Sequence, residues 1–374
     1  MPWKQIFNST EKKMLSELDL HVTNRCTIKC DYCCFSSNRK QLVELSTDEF
    51  KKVMSDAVSM GCKHVHFTGG EPLLRADIGE LIYHANSLGL KIRMQTNGML
   101  LTTEVANQLS SLGLESVMIS LDSWDEQIHD TIRGTGTWKK AIAAIEVAKN
   151  IGLKVRVNSV LTKKNMSSIL ETAKYVKSLE IQDYSAFYFS PIGCGKERND
   201  LWIPAMEYFI YWNNLQRKIE NEKSLCDMNI VIEKGYASWE EAKHLEIEGF
   251  TGCGGGCLNT FKNRDYLIVR CDGNVYPCIM AIENETLGNV REKELCEIYL
   301  NSSEWNRLLP TNVPECKDCI HMELCGEGCR YYPKHSDSSH DSRCIKNTLV
   351  PLCPIMKYNF KNGRFGGSSD DVME

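Results

Sequence analysis

Cys26, Cys30 and Cys33 follow Cys-x3-Cys-x2-Cys spacing, with Tyr32 just before the last. Three thiolates on one short loop can hold three irons of a [4Fe–4S] cube, which leaves the fourth iron without a protein ligand. An open coordination position separates a catalytic metal site from a closed structural one. A zinc knuckle is the competing reading, but it lacks a nearby fourth ligand apart from Cys34 and His21. Cys34 reads as a packed thiol, because adjacent cysteines rarely reach two corners of one cube.

A second array lies downstream. Cys253-x3-Cys257 is followed by Cys271 and Gly273-x4-Cys278, then by Cys316-x2-Cys319-x5-Cys325-x3-Cys329, and finally by Cys344 and Cys353. The chain has 18 cysteines, too many for a reducing compartment unless they bind metal or react. Taken alone, Cys316 to Cys329 fits a four-thiolate zinc ribbon. The x5 and x3 gaps and the extra ligands upstream make that fit poorer.

These loops need elements to carry them. Ser59-Met60-Gly61, Ser87-Leu88-Gly89, Ser111-Leu112-Gly113 and Asn150-Ile151-Gly152 each precede a short apolar run, at His64 to Thr68, Lys91 to Thr96, Glu115 to Ser120 and Lys154 to Val160. Glycine after an amphipathic stretch predicts a left-handed helix cap, and the β-branched run after it a strand. Ser46 with Glu49 predicts a capping box opening the first helix. Adding strands near Leu18–Val22 and Ser185–Ser190 gives six strand–helix units of a parallel α/β architecture. A closed eight-unit barrel takes roughly 200 residues or more, so a partial six-unit TIM-like barrel is expected. The cysteine loop leaves the first strand at its C-terminal end, where barrel active sites collect.

The spans predicted are a barrel over 1–200, a helical linker over 201–250, a cysteine-rich domain over 251–355 and a tail over 356–374. The whole chain is 374 residues, with 42% hydrophobic and 25% charged residues, as in soluble globular proteins. A net charge of −5 gives no general attraction to nucleic acid. No signal-peptide core and no membrane-length run is present, so the expected location is cytoplasmic, away from membranes.

The first loop resembles the signature of the radical S-adenosylmethionine superfamily, Cys-x3-Cys-x-aromatic-Cys. A second motif of that family, Gly-Gly-Glu-Pro after the second strand, is present as Gly69, Gly70, Glu71 and Pro72. The resemblance implies that the open iron chelates S-adenosylmethionine, with Gly69 to Glu71 meeting its amino group. It also implies that Gln95, Asn97, Ser120, Asp122, Arg133 and Asn158 contact cofactor or substrate, with Tyr32 beside the cluster. Reductive cleavage then yields a 5′-deoxyadenosyl radical that abstracts a substrate hydrogen. Cluster potentials reach about −700 mV, which suits that reduction. Flavodoxin or ferredoxin is the implied electron donor.

The downstream array resembles the SPASM domain of radical enzymes that modify peptides and proteins. That resemblance implies one auxiliary [4Fe–4S] cluster on Cys257, Cys278 and Cys329, with Cys253 favoured over Cys271 as fourth ligand. Cys316, Cys319, Cys325 and Cys344 would hold another, with Cys353 the alternative to Cys344. Three clusters follow in all.

Two catalytic readings remain open: maturation of a ribosomal peptide, and oxidation or epimerisation of a small metabolite. Ile279 stands where sulfatase-maturing relatives carry Asp, which argues against that activity. Only 17 residues, Met1 to Glu17, precede the first strand, too few for a leader-recognition domain, so a peptide substrate is expected to need a separate recognition protein. A non-catalytic iron–sulfur protein would explain the cysteines but not Gly69 to Pro72. His64 and His66 read as barrel packing, Cys62, Cys226 and Cys296 as inert thiols, and Cys194 as structural rather than reactive.

Overall fold

The computed structural model describes residues 15–39, 41–233, 236–238, 266–281, 286–307, 349–351, 357–359 and 364–366. From residue 17 to residue 188 the chain runs β1 (Glu17–His21), α1 (Thr47–Ser59), β2 (His64–Thr68), α2 (Ile78–Ser87), β3 (Lys91–Thr96), α3 (Thr103–Ser111), β4 (Ser116–Ser120), α4 (Glu126–Arg133), α5 (Thr137–Asn150), β5 (Lys154–Leu161), α6 (Ile169–Ser178) and β6 (Asp183–Tyr188). The predicted capping box forms: Glu49 N donates to Ser46 Oγ at 3.2 Å and Ser46 N to Glu49 Oε2 at 2.7 Å. The four predicted helix-capping glycines all take positive φ.

β1 to β6 pair in chain order, all parallel. Alternate strand residues pack outward under the helices. Leu18 and Leu20, Val65 and Phe67, Ile92 and Met94, and Val155 and Val157 join α1 Phe50, α2 Leu81 and α5 Ile145 in one core. The opposite parity of each strand faces inward.

Reading 201–250 as helix and connection accounts for α7 (Ala205–Asn221) but not for β7 (Asn229–Glu233), which adds parallel to β6. β7 is five residues, all buried, and so short an apolar run is easily lost beside a long helix. Beyond the short β8 (Tyr236–Ser238), β9 (Tyr266–Arg270) pairs parallel to β1 on the other flank. Its hairpin partner β10 (Asn274–Tyr276) and β11 (Gly288–Asn289) follow antiparallel. Two short helices, α8 (Leu295–Leu300) and α9 (Ser302–Arg307), precede β12 (Leu349–Pro351), which pairs with β8. β13 (Lys357–Asn359) and β14 (Arg364–Gly366) extend the sheet beyond β7. The sheet runs β11-β10-β9-β1-β2-β3-β4-β5-β6-β7-β13-β14, and no described ladder joins β7 to β9. The expected partial, unclosed α/β barrel is what the chain forms.

Arg291 docks the cysteine-rich region against the segment before α1. Its guanidinium donates to Glu49 Oε1 at 2.8 Å and to the carbonyls of Val43 and Glu44 at 3.1 and 3.0 Å. Among the described residues, no helix is long and apolar enough to cross a membrane.

Candidate active site

The loop after β1 carries Cys26, Cys30 and Cys33, all partly buried. It is pinned from several sides. Asn38 clasps Cys26 by accepting from its N–H at 2.9 Å and donating to its carbonyl at 2.8 Å. Glu44 accepts from Thr23 Oγ1 at 2.7 Å and from Asn24 N at 2.9 Å. Neither Asn38 nor Glu44 stood out in the sequence, because only the path of the loop brings them to the cysteines.

The Gly69-Gly70-Glu71 turn after β2 lies flat against this loop. Gly70 N donates to Thr23 O and Glu71 N to Arg25 O, each at 2.8 Å. A Cβ on Gly70 would sit 2.1 Å from the Arg25 carbonyl oxygen, so only glycine permits the approach. Glu71 itself is fully buried. Its carboxylate accepts from Leu73 N at 3.2 Å, Thr96 Oγ1 at 2.8 Å and Asn97 N at 2.9 Å, tying the ends of β2 and β3 together. Burial pushes its pKa up to about 7. Asn97 in turn donates to Thr27 Oγ1 at 3.0 Å and to Cys26 Sγ at 3.5 Å. Two predicted motifs, 36 or more residues apart in the chain, thus meet at one mouth.

Tyr32, Asp122 and Arg133 also come together. Tyr32 Oη donates to Asp122 Oδ2 at 2.5 Å, while Arg133 donates from Nε to Oδ2 at 2.7 Å and from Nη2 to Oδ1 at 3.2 Å. Val160 N adds a fourth bond to Oδ1 at 2.8 Å. These bonds fill the Asp122 carboxylate from within the protein. The Arg133 guanidinium lies 5.4 Å from the centre of the Tyr32 ring, close enough for cation–π attraction. Burial pulls the Asp122 pKa up, but Arg133 overrides it and holds the carboxylate ionised. His129 orients the aspartate by accepting from Asp122 N at its Nδ1 at 3.1 Å.

Farther along the strands, Ser120 and Asn158 are buried on neighbouring β4 and β5, with Asn158 Oδ1 accepting from Ser185 Oγ at 3.1 Å. Gln95 lies on the inward parity of β3 and stays partly exposed.

Cys194 belongs to the site as well. Its N–H donates to the Cys33 carbonyl at 2.9 Å, and its thiol hydrogen-bonds the Cys33 sulfur. That bond, with donation from Ser37 N at 3.5 Å, draws the Cys33 thiol pKa down. Burial pushes Cys30 up to about 12. Gly193 makes this contact possible with φ of +59° and its backbone against the Cys33 and Cys34 carbonyls. Cys62 is a buried thiol bonded to the His64 carbonyl at 3.2 Å, as the sequence suggests.

The donor set fits an iron–sulfur group: three loop thiols, with amide N–H donors from Ser37 and Asn97 aimed at two of the sulfurs. Of the second array, Cys271 and Cys278 are described and buried. Cys253, Cys257, Cys316, Cys319, Cys325, Cys329, Cys344 and Cys353 lie outside the described residues. In the β9–β10 hairpin Val275 faces Val269 and Tyr276 faces Ile268, which puts Cys278 opposite Tyr266. Cys271 follows Arg270 at the other end, five residues or about 16 Å away along the strand.

Residues 20–176 match the model of the radical SAM superfamily, and residues 257–320 match the SPASM iron–sulfur cluster-binding domain. This chain belongs to the radical SAM superfamily. It is 27% identical over 321 residues to AdoMet-dependent heme synthase of Methanosarcina barkeri, covering 83% of this chain and 89% of that one. It is 27% identical over 345 residues to the mycofactocin maturase MftC of Mycolicibacterium smegmatis, covering 89% and 83%. The fold of this radical SAM chain is also that of Streptococcus suis SuiB bound to its precursor peptide SuiA, with a TM-score of 0.72 at 20% identity over 89% of this chain and 76% of that one.

Proposed function

We propose that this radical SAM enzyme modifies a ribosomally made peptide, forming a crosslink or an oxidised residue. The observation that carries the radical chemistry is the packing of the Gly69-Gly70-Glu71 turn and Asn97 against the Cys26–Cys33 loop at the C-terminal ends of parallel strands. The peptide reading is supported by likeness to a peptide maturase and to a structure holding a precursor peptide. When bound, a [4Fe–4S] cluster and S-adenosylmethionine supply one-electron reduction and a carbon radical.

The chain's own residues hold and shape that site. Cys26, Cys30 and Cys33 ligate the cluster, Gly69 and Gly70 present backbone to the cofactor, and Ser120, Asn158 and Gln95 line the path inward. Asp122, saturated by protein donors, positions Tyr32 and Arg133 rather than touching cofactor. Two auxiliary clusters complete a set of three. The hairpin register supports Cys253 over Cys271 beside Cys257, Cys278 and Cys329, since opposite ends of β9–β10 cannot reach one cube. Cys316, Cys319, Cys325 and Cys344 take the other.

Anaerobic reconstitution tests this reading. With dithionite and S-adenosylmethionine, 5′-deoxyadenosine should appear, and its absence sinks the enzyme reading. A peptide encoded beside this gene should lose hydrogen mass on incubation. Unchanged peptide together with turnover of a sugar or cofactor precursor would favour the metabolite reading, which the likeness to a heme synthase keeps in play.

A further inference from the structure

The inner face of the partial barrel carries two arginines, of which only Arg156 has an acidic partner among the described residues. Ile92 and Met94 of β3 belong to the outer core, so Arg93 between them faces inward. Val155 and Val157 do the same for Arg156 on β5. The Arg93 side chain makes no hydrogen bond or ion pair among the described residues and is only partly buried. Arg156 is 5% exposed, with a single ion pair, Nη2 to Asp183 Oδ1 at 3.1 Å. Its Nε is buried without a partner. Asp183 is also shared, since its Oδ1 accepts from Asn229 Nδ2 at 2.7 Å.

The neighbouring acid is engaged elsewhere. Asp19 accepts from Tyr266 Oη at 2.6 Å and faces His66 Nδ1 at 3.4 Å. His66, beside Arg93 in the β2–β3 register, keeps a buried Nε2 with no partner. Burial, reinforced by the Arg93 charge, pulls Arg156 below its ordinary value despite Asp183. Two guanidiniums and an imidazole face one space with two carboxylates, Asp183 on Arg156 and Asp19 on His66, and Arg93 has neither, an arrangement that a bound anion completes. A carboxylate suits it because a guanidinium fork donates two parallel bonds to it.

We infer that Arg93 and Arg156, with His66 beside them, bind a carboxylate of the peptide substrate inside the barrel. Arg156 precedes Asn158 by two residues on β5, about 7 Å deeper than the mouth-side residues. The acidic group thus anchors the substrate from below and leaves its reacting carbon toward the cysteine loop. This inference rests on the peptide reading above for the identity of the ligand, but not for the existence of the site.

Arginine modification by phenylglyoxal on the reconstituted full-length protein, mapped by mass spectrometry, tests it. The probes are N-acetylglycine for a chain-terminal carboxylate, N-acetyl-isoglutamine for a side-chain carboxylate, and neutral N-acetylglycinamide. Either acid should slow modification of Arg93 while the amide does not, and the stronger acid tells which carboxylate is bound. In Arg156→Gln, protection of Arg93 should need about tenfold more acid, as expected for one lost charge-assisted contact. Equal slowing by the amide, no slowing by either acid, or the same slowing at exposed Arg217 overturns the site. The acid-versus-amide comparison uses wild-type protein, so it decides even where the variant fails to fold. Formation of 5′-deoxyadenosine on the same preparation reads the radical chemistry separately. Arg93 protection in a preparation without it leaves the carboxylate site standing and removes only the radical reading.

Discussion

Tyr32 and Asp122 are 90 residues apart in the chain and 2.5 Å apart at Oη and Oδ2. The bond joins the cysteine loop to the end of β4, and Arg133 completes it from α4. Removing the hydroxyl with Tyr32→Phe leaves one buried acceptor position unfilled and should cost about 1–2 kcal/mol. Asp122→Asn leaves the buried Arg133 charge without its counter-ion and should cost about 3–5 kcal/mol. Urea unfolding of both variants should keep that order, and an Asp122→Asn variant as stable as wild type would remove the clamp from the account.

Gly70→Ala should be worse than its size suggests. The new methyl carbon would meet the Arg25 carbonyl oxygen at 2.1 Å and its carbon at 2.6 Å, both backbone atoms that cannot rotate away. Overpacking of this kind costs about 3 kcal/mol. Bound iron in the purified protein should fall with it, because the displaced backbone is that of the cysteine loop.

Cys194 touches Cys33, yet the assignment gives it no iron. Cys30→Ala should lower bound iron by about a third, one cluster of three, and abolish 5′-deoxyadenosine formation. Cys194→Ala should keep its iron. Iron and sulfide analysis with the cleavage assay separates the two, and iron loss from Cys194→Ala would make it a ligand.

His129 gives the fold a pH dependence. Burial holds its pKa at about 4 against an ordinary 6.5, so the imidazole is neutral in the folded chain. As pH falls below 6.5 the unfolded chain takes the proton first, and stability present above that pH is lost progressively down to about 4. The full loss is about 3 kcal/mol. His129→Asn keeps an acceptor for Asp122 N and cannot titrate. Urea midpoints of the metal-stripped chain at pH 7 and pH 5 should therefore diverge less in the variant than in wild type.

Much of this was legible before any fold. The helix-capping glycines, the Ser46–Glu49 box and the alternating strands are local signals, set by backbone sterics and side-chain reach over a few residues. The cysteine spacing and Gly69 to Pro72 are likewise short motifs whose meaning survives without coordinates. β7 has only three apolar residues, Ile230 to Ile232, too few to show a period, and only pairing with β6 makes the segment a strand.

The sequence alone determined that the chain builds parallel strand–helix units and offers three thiols on one loop beside a glycine turn, because those features are decided by near neighbours. Only the tertiary structure decided that Asp122 is filled by Tyr32 and Arg133, that Cys194 lies on Cys33, and that Arg93 and Arg156 face one interior in which Asp183 pairs with Arg156 alone. Those facts depend on which distant side chains strand register and burial bring within a few ångströms, and no local pattern carries that distance.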